Sequence, residues 1–284
     1  MSAEARAALF ALFPDCKIVS VRLHSRSLFA LYDVRLSGPG PDRLALKMVA
    51  NMAMANAEAR GLEALKAAGV SAPGVYSVCH KPAAIAMEFV NSGGRFDPAL
   101  LVQDLTRLYQ TPGPHFGWNE HNFIGTLAQP NHKHDRFHEF WWKDRLAPQY
   151  NQARRAGLLS TEMEKDLRLS LERFCARFEP DRVGPRLVHG DLWSGNLLPG
   201  PGGRPYLIDP SVAYSNPDQD LAMLALFGSS LSAAAAEQIA GSYGQPGLSE
   251  RIAFFQIYPL LVHVNIFGSG YVGQLRAAVQ STLR

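Results

Sequence analysis

Leu187-Val-His-Gly-Asp-Leu-Trp-Ser-Gly-Asn196, followed shortly by Tyr206-Leu-Ile-Asp-Pro210, decides the reading of this 284-residue chain. Asp191 and Asn196 stand in an Asp-x4-Asn spacing on one short loop. A loop of that length can aim a carboxylate at a substrate hydroxyl and an amide oxygen at a metal. Asp209 ends a short apolar strand, Tyr206 to Ile208, and offers the hard oxygen that Mg²⁺ prefers. His-Gly-Asp alone is weak evidence; the spaced Asn and a second Asp closing a strand make the set specific. The parts suit phosphoryl transfer, whose catalysis is mostly positioning and charge neutralisation around metal-held phosphates. Asp191 is then the catalytic base, and Asn196 and Asp209 are the metal ligands.

Working toward the N-terminus, strands are predicted at 17–23, 28–36 and 43–50, a helix at 52–68, and strands at 74–80 and 83–90. Gly69 sits where the helix should stop. Lys47, in Leu44-Ala-Leu-Lys-Met48, lies on the third strand, where a phosphate-contacting lysine belongs in a kinase-like sheet. Glu58, Leu62 and Leu65 share a face of the following helix, so Glu58 can pair with Lys47. Taken alone, the two could equally be a solvent-facing pair. Met87-Glu88-Phe89-Val90 ends the last strand, and the backbone of Glu88 and Val90 could hold an adenine edge; a plain edge strand is the alternative.

Beyond Asn91-Ser-Gly-Gly94 the texture becomes helical, at 97–110, 136–156, 160–179 and from 217 onward, with a long loop at 111–135. Thr161 with Glu164 reads as a capping box. The expectation is an α+β, bilobal, protein-kinase-like fold. Residues 1–90 would form a nucleotide-binding lobe of five antiparallel strands and one helix. Residues 91–284 would form a larger, mainly helical catalytic and acceptor-binding lobe.

Composition bounds the partners. Hydrophobic residues make up 47% and charged residues 19%, enough apolar content for a packed core. A net charge of +3 is too small to suggest nucleic-acid binding. Cys16, Cys79 and Cys175 are scattered without a CxxC, so a reduced, cytoplasmic protein is expected. The apolar stretch 252–267 is interrupted by Gln256, Pro259, His263 and Asn265, which argues against a membrane span. Composition leaves the oligomeric state open.

The added Leu-Trp-Ser-Gly after His-Gly-Asp resembles the fructosamine kinase (ketosamine-3-kinase) family, within the aminoglycoside-phosphotransferase-like kinases. Ala57–Leu65, Phe116–Thr126, Gln129-Pro-Asn131, Arg145-Leu-x-Pro-Gln149, Asp220–Met223 and His263–Tyr271 look like the same family, so the resemblance spans nearly the whole chain. It implies ATP and Mg²⁺, and a small-molecule or protein-bound ketosamine phosphorylated on its 3-hydroxyl, which releases the glycated amine. It implies that Trp193 and His263 line the sugar pocket, and that His189 and Asp220 are structural supports of the loop. Two departures stand out. The first turn, His24–Phe29, should cover the phosphates; it lacks the family's glycine and offers Ser25, Arg26 and Ser27 instead. Ala213–Asp218 replaces a Tyr-Tyr-Gly-His-Arg-Glu-like run, which suggests an unusual acceptor. An aminoglycoside- or choline-kinase-like enzyme with another acceptor, or a non-catalytic nucleotide-binding relative, are the rival readings.

His132, His134 and His138, with His121 nearby, could hold a metal, but no carboxylate or Cys spacing completes a site, and solvent-facing or substrate-side histidines are the favoured reading. Phe137, Phe140, Trp141 and Trp142 read as core-docking residues of a helix.

Overall fold

A computed structural model describes residues 2–228 and 231–284. The chain forms two compact units. The first comprises Met1–Asp97 with Leu198–Pro210; the second comprises Pro98–Leu197 with Ser211–Arg284. The first crossing lies between Asp97 and Pro98, beyond the change of texture near residue 91, and nothing in composition announces that 198–210 returns to the first unit.

The first unit is built on one antiparallel sheet. Its strands are β1 (Lys17–Arg26), β2 (Ala30–Ser37), β3 (Arg43–Met48), β4 (Val75–His80) and β5 (Ala83–Glu88), in the order β1-β2-β3-β5-β4. Period-two alternation sorts β3 onto two faces. Leu44 and Leu46 join a buried cluster with Tyr32, Val34, Leu36, Ala84 and Ala86. Covering that cluster is α1 (Ala3–Leu12), through Ala5, Ala8 and Leu9. This second helix goes beyond the single one expected; its signal was Ser2, whose Oγ caps the Ala5 N–H at 3.1 Å. Ala45 and Lys47 point to the other face, where Lys47 meets α2 (Met52–Ala67), which Asn51 caps and Gly69 ends at φ 81°. A small two-stranded ribbon of β9 (Leu197–Pro199) and β10 (Pro205–Leu207) completes the unit. The Leu207 amide donates to the Ser71 carbonyl at 2.8 Å.

The second unit is mainly helical, with α3 (Pro98–Leu108), α5 (Ala147–Arg155), α6 (Thr161–Phe178), α7 (Asp218–Leu226), α8 (Ala233–Ser242), α9 (Ile252–Phe267) and α10 (Val272–Thr282). The expected helix over 136–156 is interrupted: α4 (Phe137–Phe140) passes through a π-helical turn, Trp141–Leu146, into α5. Phe137, Phe140 and Trp141 are fully buried, and Phe174 stacks on Phe254 with ring centroids 3.8 Å apart. Trp142 instead lies beneath the Arg168 guanidinium, 3.8 Å from it. The expected capping box at Thr161 is absent: Ser160 takes the cap position without a side-chain capping bond, and Glu164 pairs with Arg168. The 111–135 loop contains a short hairpin, β6 (Asn122–Ile124) with β7 (Leu127–Gln129). Strands β8 (Arg186–Val188) and β11 (Ala213–Ser215) pair antiparallel.

Ala213, Ser215, Asn216 and Asp218 are buried, and Asp218 accepts from the Tyr243 hydroxyl at 2.6 Å and from Arg251 Nε at 2.5 Å. The unusual 213–218 sequence is therefore part of this unit's packed interior. No helix among the described residues is long and apolar enough to cross a membrane.

Candidate active site

In the first unit, Lys47 is 8% exposed and reaches three oxygens: Glu58 Oε1 at 2.9 Å, Glu58 Oε2 at 2.8 Å and Asp209 Oδ1 at 2.9 Å. Strand alternation points Lys47 toward α2, and Glu58 meets it from that helix. Burial by itself would lower the Lys47 ammonium, but the charges of Glu58 and Asp209 outweigh it and hold the pKa above its ordinary value. Burial pushes the Glu58 carboxyl up to about 6, against the pull of Lys47.

Asp209 follows β10 with φ 54°, a left-handed conformation uncommon for a residue bearing a side chain. The strain is local, and it turns the carboxylate to Lys47. Next to it, Pro210 fits because α2 carries Gly61 opposite; a Cβ there would come 2.9 Å from Pro210 Cγ. Only a bare backbone permits that approach.

The other expected nucleotide contacts lie on the same sheet. Ser25 and Arg26 finish β1, so the turn shrinks to Ser27–Phe29, all three polar candidates being exposed. Lys47 Nζ is 5.8 Å from the centre of the Phe29 ring. The Glu88 amide donates to the Gly74 carbonyl at 2.7 Å, and its carboxylate accepts the Gly74 N–H at 3.1 Å. Those bonds order the β5 end, and Val90 just beyond it is buried.

In the second unit, the loop after β8 is held from below. Asp220, fully buried on α7, accepts the amides of His189 at 2.7 Å and Gly190 at 2.9 Å, and the Tyr109 hydroxyl at 3.3 Å. Burial raises the Asp220 carboxyl to about 7, with those three donors acting in the opposite direction. Gly190 is required: at φ 85° an added Cβ would lie 2.0 Å from the Ser211 carbonyl. His189 is buried; its carbonyl accepts the Ser211 amide at 2.9 Å, and its Nδ1 accepts the Asp191 amide at 3.3 Å. Asn196 Nδ2 donates to the Asp191 carbonyl at 2.8 Å and to its carboxylate at 3.2 Å. The Asp-x4-Asn spacing thus closes one turn whose two candidate side chains are tied together.

Trp193 is 39% exposed and lies over Gly195, where an added Cβ would come 2.2 Å from the indole. His263, on α9, has its Nδ1 2.7 Å from the Pro259 carbonyl and its ring among Phe227, Phe267 and Tyr271, at 4.7, 5.3 and 4.9 Å between centroids. Burial lowers its pKa below the usual imidazole value, with the Pro259 bond opposing. Among the described residues no ring contact joins Trp193 to His263.

A supporting network is not evident from composition or periodicity. Tyr258 donates to Gln129 Oε1 at 2.6 Å; Gln129 donates to Asn122 Oδ1 at 2.8 Å and to the Ser211 carbonyl at 3.1 Å. Asn122 donates to the Val212 carbonyl at 2.8 Å, and fully buried Arg145 donates to Asn131 Oδ1 at 2.7 Å. The network anchors backbone 211–212, against which the His189–Gly190 turn packs. Its sequence signal was the pair of short segments Gln129-Pro-Asn131 and Arg145-Leu-x-Pro-Gln149.

The sequence model of the fructosamine kinase family matches residues 44–284. A protein named as a probable ketoamine kinase from Enterococcus faecium is 36% identical over 227 residues, covering 77% of this chain and 79% of its own length. The chloroplastic protein-ribulosamine 3-kinase of Arabidopsis thaliana is 30% identical over 244 residues, covering 82% of this chain and 73% of its own. The crystal structure of a protein assigned as a fructosamine-3-kinase from Thermobifida fusca superposes with a TM-score of 0.84 at 28% identity, over 100% of this chain and 99% of that one. The two-unit α+β architecture is accordingly kinase-like. Because the family model runs from β3 to the last residue, taking in both the Lys47 strand and the Asp191 loop, the chain belongs to the fructosamine kinase family.

Proposed function

We propose that this phosphotransferase moves the γ-phosphoryl group of ATP to a sugar hydroxyl of a ketosamine, free or protein-bound, in a reducing cytoplasmic setting that suits its three free cysteines. The observation that carries the reading is the Asp191–Asn196 turn, fixed through its backbone by buried Asp220. Asp191 orients the acceptor hydroxyl and takes its proton as the oxygen bonds to the γ-phosphorus and the bond to the departing ADP oxygen breaks.

Lys47 contacts the nucleotide phosphates as a point charge, and Glu58 holds it in place. The backbone of Glu88 and Val90 takes the adenine edge, and Ser25, Arg26 and Ser27 cover the phosphates. Asn196 and Asp209 fit Mg²⁺ by donor chemistry, an amide oxygen and a carboxylate. With Asn196 Nδ2 bonded to Asp191, its Oδ1 is the atom to face the metal. Mg²⁺, when bound, neutralises charge on the phosphates. Trp193 offers a flat face to sugar carbons and to a secondary ammonium, a cation–π contact of about 0.5–2 kcal/mol; His263 lines the same pocket.

The buried position of 213–218 supports a ketosamine over a different acceptor, since those residues serve packing. The test is ADP release across ribulosamine, fructosamine and an aminoglycoside, for wild type and Asp191→Asn. Ketosamine-dependent release that Asp191→Asn lowers by about 10²-fold or more, with Mg²⁺–ATP still bound, is expected. Aminoglycoside preference, or unchanged turnover in Asp191→Asn, would overturn the assignment.

A further inference from the structure

The histidines of the 131–134 segment meet in three dimensions a carboxylate that the sequence does not place beside them. Asp144, on the π-helical turn Trp141–Leu146, has a side chain only 1% exposed. Its Oδ1 is 2.9 Å from His132 Nδ1 and its Oδ2 is 3.3 Å from His134 Nε2. Oδ2 also accepts the His132 backbone N–H at 2.6 Å, which fixes the segment against the turn. One ligand atom from each of the three side chains lies within 4.8 Å of the other two.

The surroundings favour a cation. Among the described residues no lysine or arginine is in direct contact with the Asp144 carboxylate; buried Arg145 acts on it only through its field, and the groups touching it are two imidazoles. A buried carboxylate without a fixed positive partner is costly, and a dication supplies one. Two imidazoles with a carboxylate are the donors of zinc and its neighbours, whereas Mg²⁺ takes oxygen ligands. Behind His134, Nδ1 lies 3.8 Å from the Glu139 carboxylate, the kind of outer contact that orients a ligating imidazole. Bonds of about 2.0–2.1 Å to zinc place ligand atoms about 3.3 Å apart in a tetrahedron. The His132 side chain, 63% exposed, can rotate to close the remaining gap, and its open side leaves a position for water.

The geometry points to a divalent transition-metal site formed by His132 Nδ1, His134 Nε2 and the Asp144 carboxylate, distinct from the Asn196 and Asp209 ligands of the phosphoryl-transfer reading. The ion replaces the ring protons that now face the carboxylate and clips segment 131–134 to the π turn. His138 is exposed on α4 and lies outside the set. His121 approaches His132 at 4.7 Å between centroids, but its Nδ1 accepts the Asn131 amide at 3.0 Å, and it too lies outside.

The full chain, stripped with chelator and kept free of nucleotide, should be titrated with Zn²⁺ by calorimetry and its metal counted after dialysis. Cobalt(II) serves as a second probe, through its visible absorption. One equivalent of Zn²⁺ and an upward shift in Tm by mass action are expected. His132→Ala, a surface change, should weaken Zn²⁺ by about tenfold or more, and His138→Ala should not. Absence of stoichiometric Zn²⁺, unchanged affinity in the folded His132→Ala and His134→Ala double variant, or equal weakening by His138→Ala would overturn the site. None of these readouts depends on turnover, so the kinase assignment and the metal site fail independently.

Discussion

Lys47 is the residue on which the first unit's charge cluster turns, because two carboxylates share one buried ammonium. Removing one partner of a buried ion pair leaves a desolvated charge and costs about 3–5 kcal/mol. Lys47→Met should lose stability of that order in urea unfolding and lower ADP release by about 10²-fold or more. Adding Glu58→Met to it should restore most of the stability and none of the turnover. Recovery of turnover in the double variant would mean that Lys47 acts only as a counter-ion to Glu58. Both residues were readable in sequence because a period-two strand and a helical face carry them. For the third partner, Asp209, the sequence suggested a metal-ligand role, which is part of the proposal above. Its bond to Lys47 was not readable, because that contact joins positions far apart in the chain.

The β8 loop is the element whose precision depends on a residue outside it. Asp220 sits on α7, and its carboxyl is raised from 3.8 to about 7, chiefly by burial. The folded chain therefore holds a proton that the unfolded chain releases between pH 4 and 7. That stabilisation is complete below about pH 4 and is lost as the pH rises through 7. Asp220→Asn removes this contribution. The stability of wild type relative to the variant should fall from pH 5 to pH 7.5 in urea titrations; parallel pH curves would count against the assignment. The π turn carries a similar lesson. Helical periodicity read 136–156 as one helix, since six apolar and polar positions in register do not disclose a widened turn. Phe137 and Trp141 pack there against α6 and α9 residues, and Asp144 reaches His132 and His134 from the turn.

For the whole molecule, the first unit holds the Lys47–Glu58–Asp209 cluster and the second the Asp191–Asn196 turn. Binding of Mg²⁺–ATP to the folded chain alone should raise Tm progressively with ligand concentration, by about 2.7 kcal/mol of stabilisation at a hundredfold excess over Kd. Asp191→Asn should keep the shift and Lys47→Met should reduce it. No shift in wild type would favour a relative that has lost nucleotide binding, the reading that a glycine-free first turn raises. Short-range signals determined the five strands, the α2 helix, the catalytic-loop spacing and the family, because periodicity and motif spacing act within a few turns or residues. The tertiary structure alone decided that 198–210 rejoins the first unit, that 213–218 is interior, and that Asp144 completes a His-His-carboxylate set. Each of those depends on contacts between distant segments, whose entropy of closure only a packed core can offset.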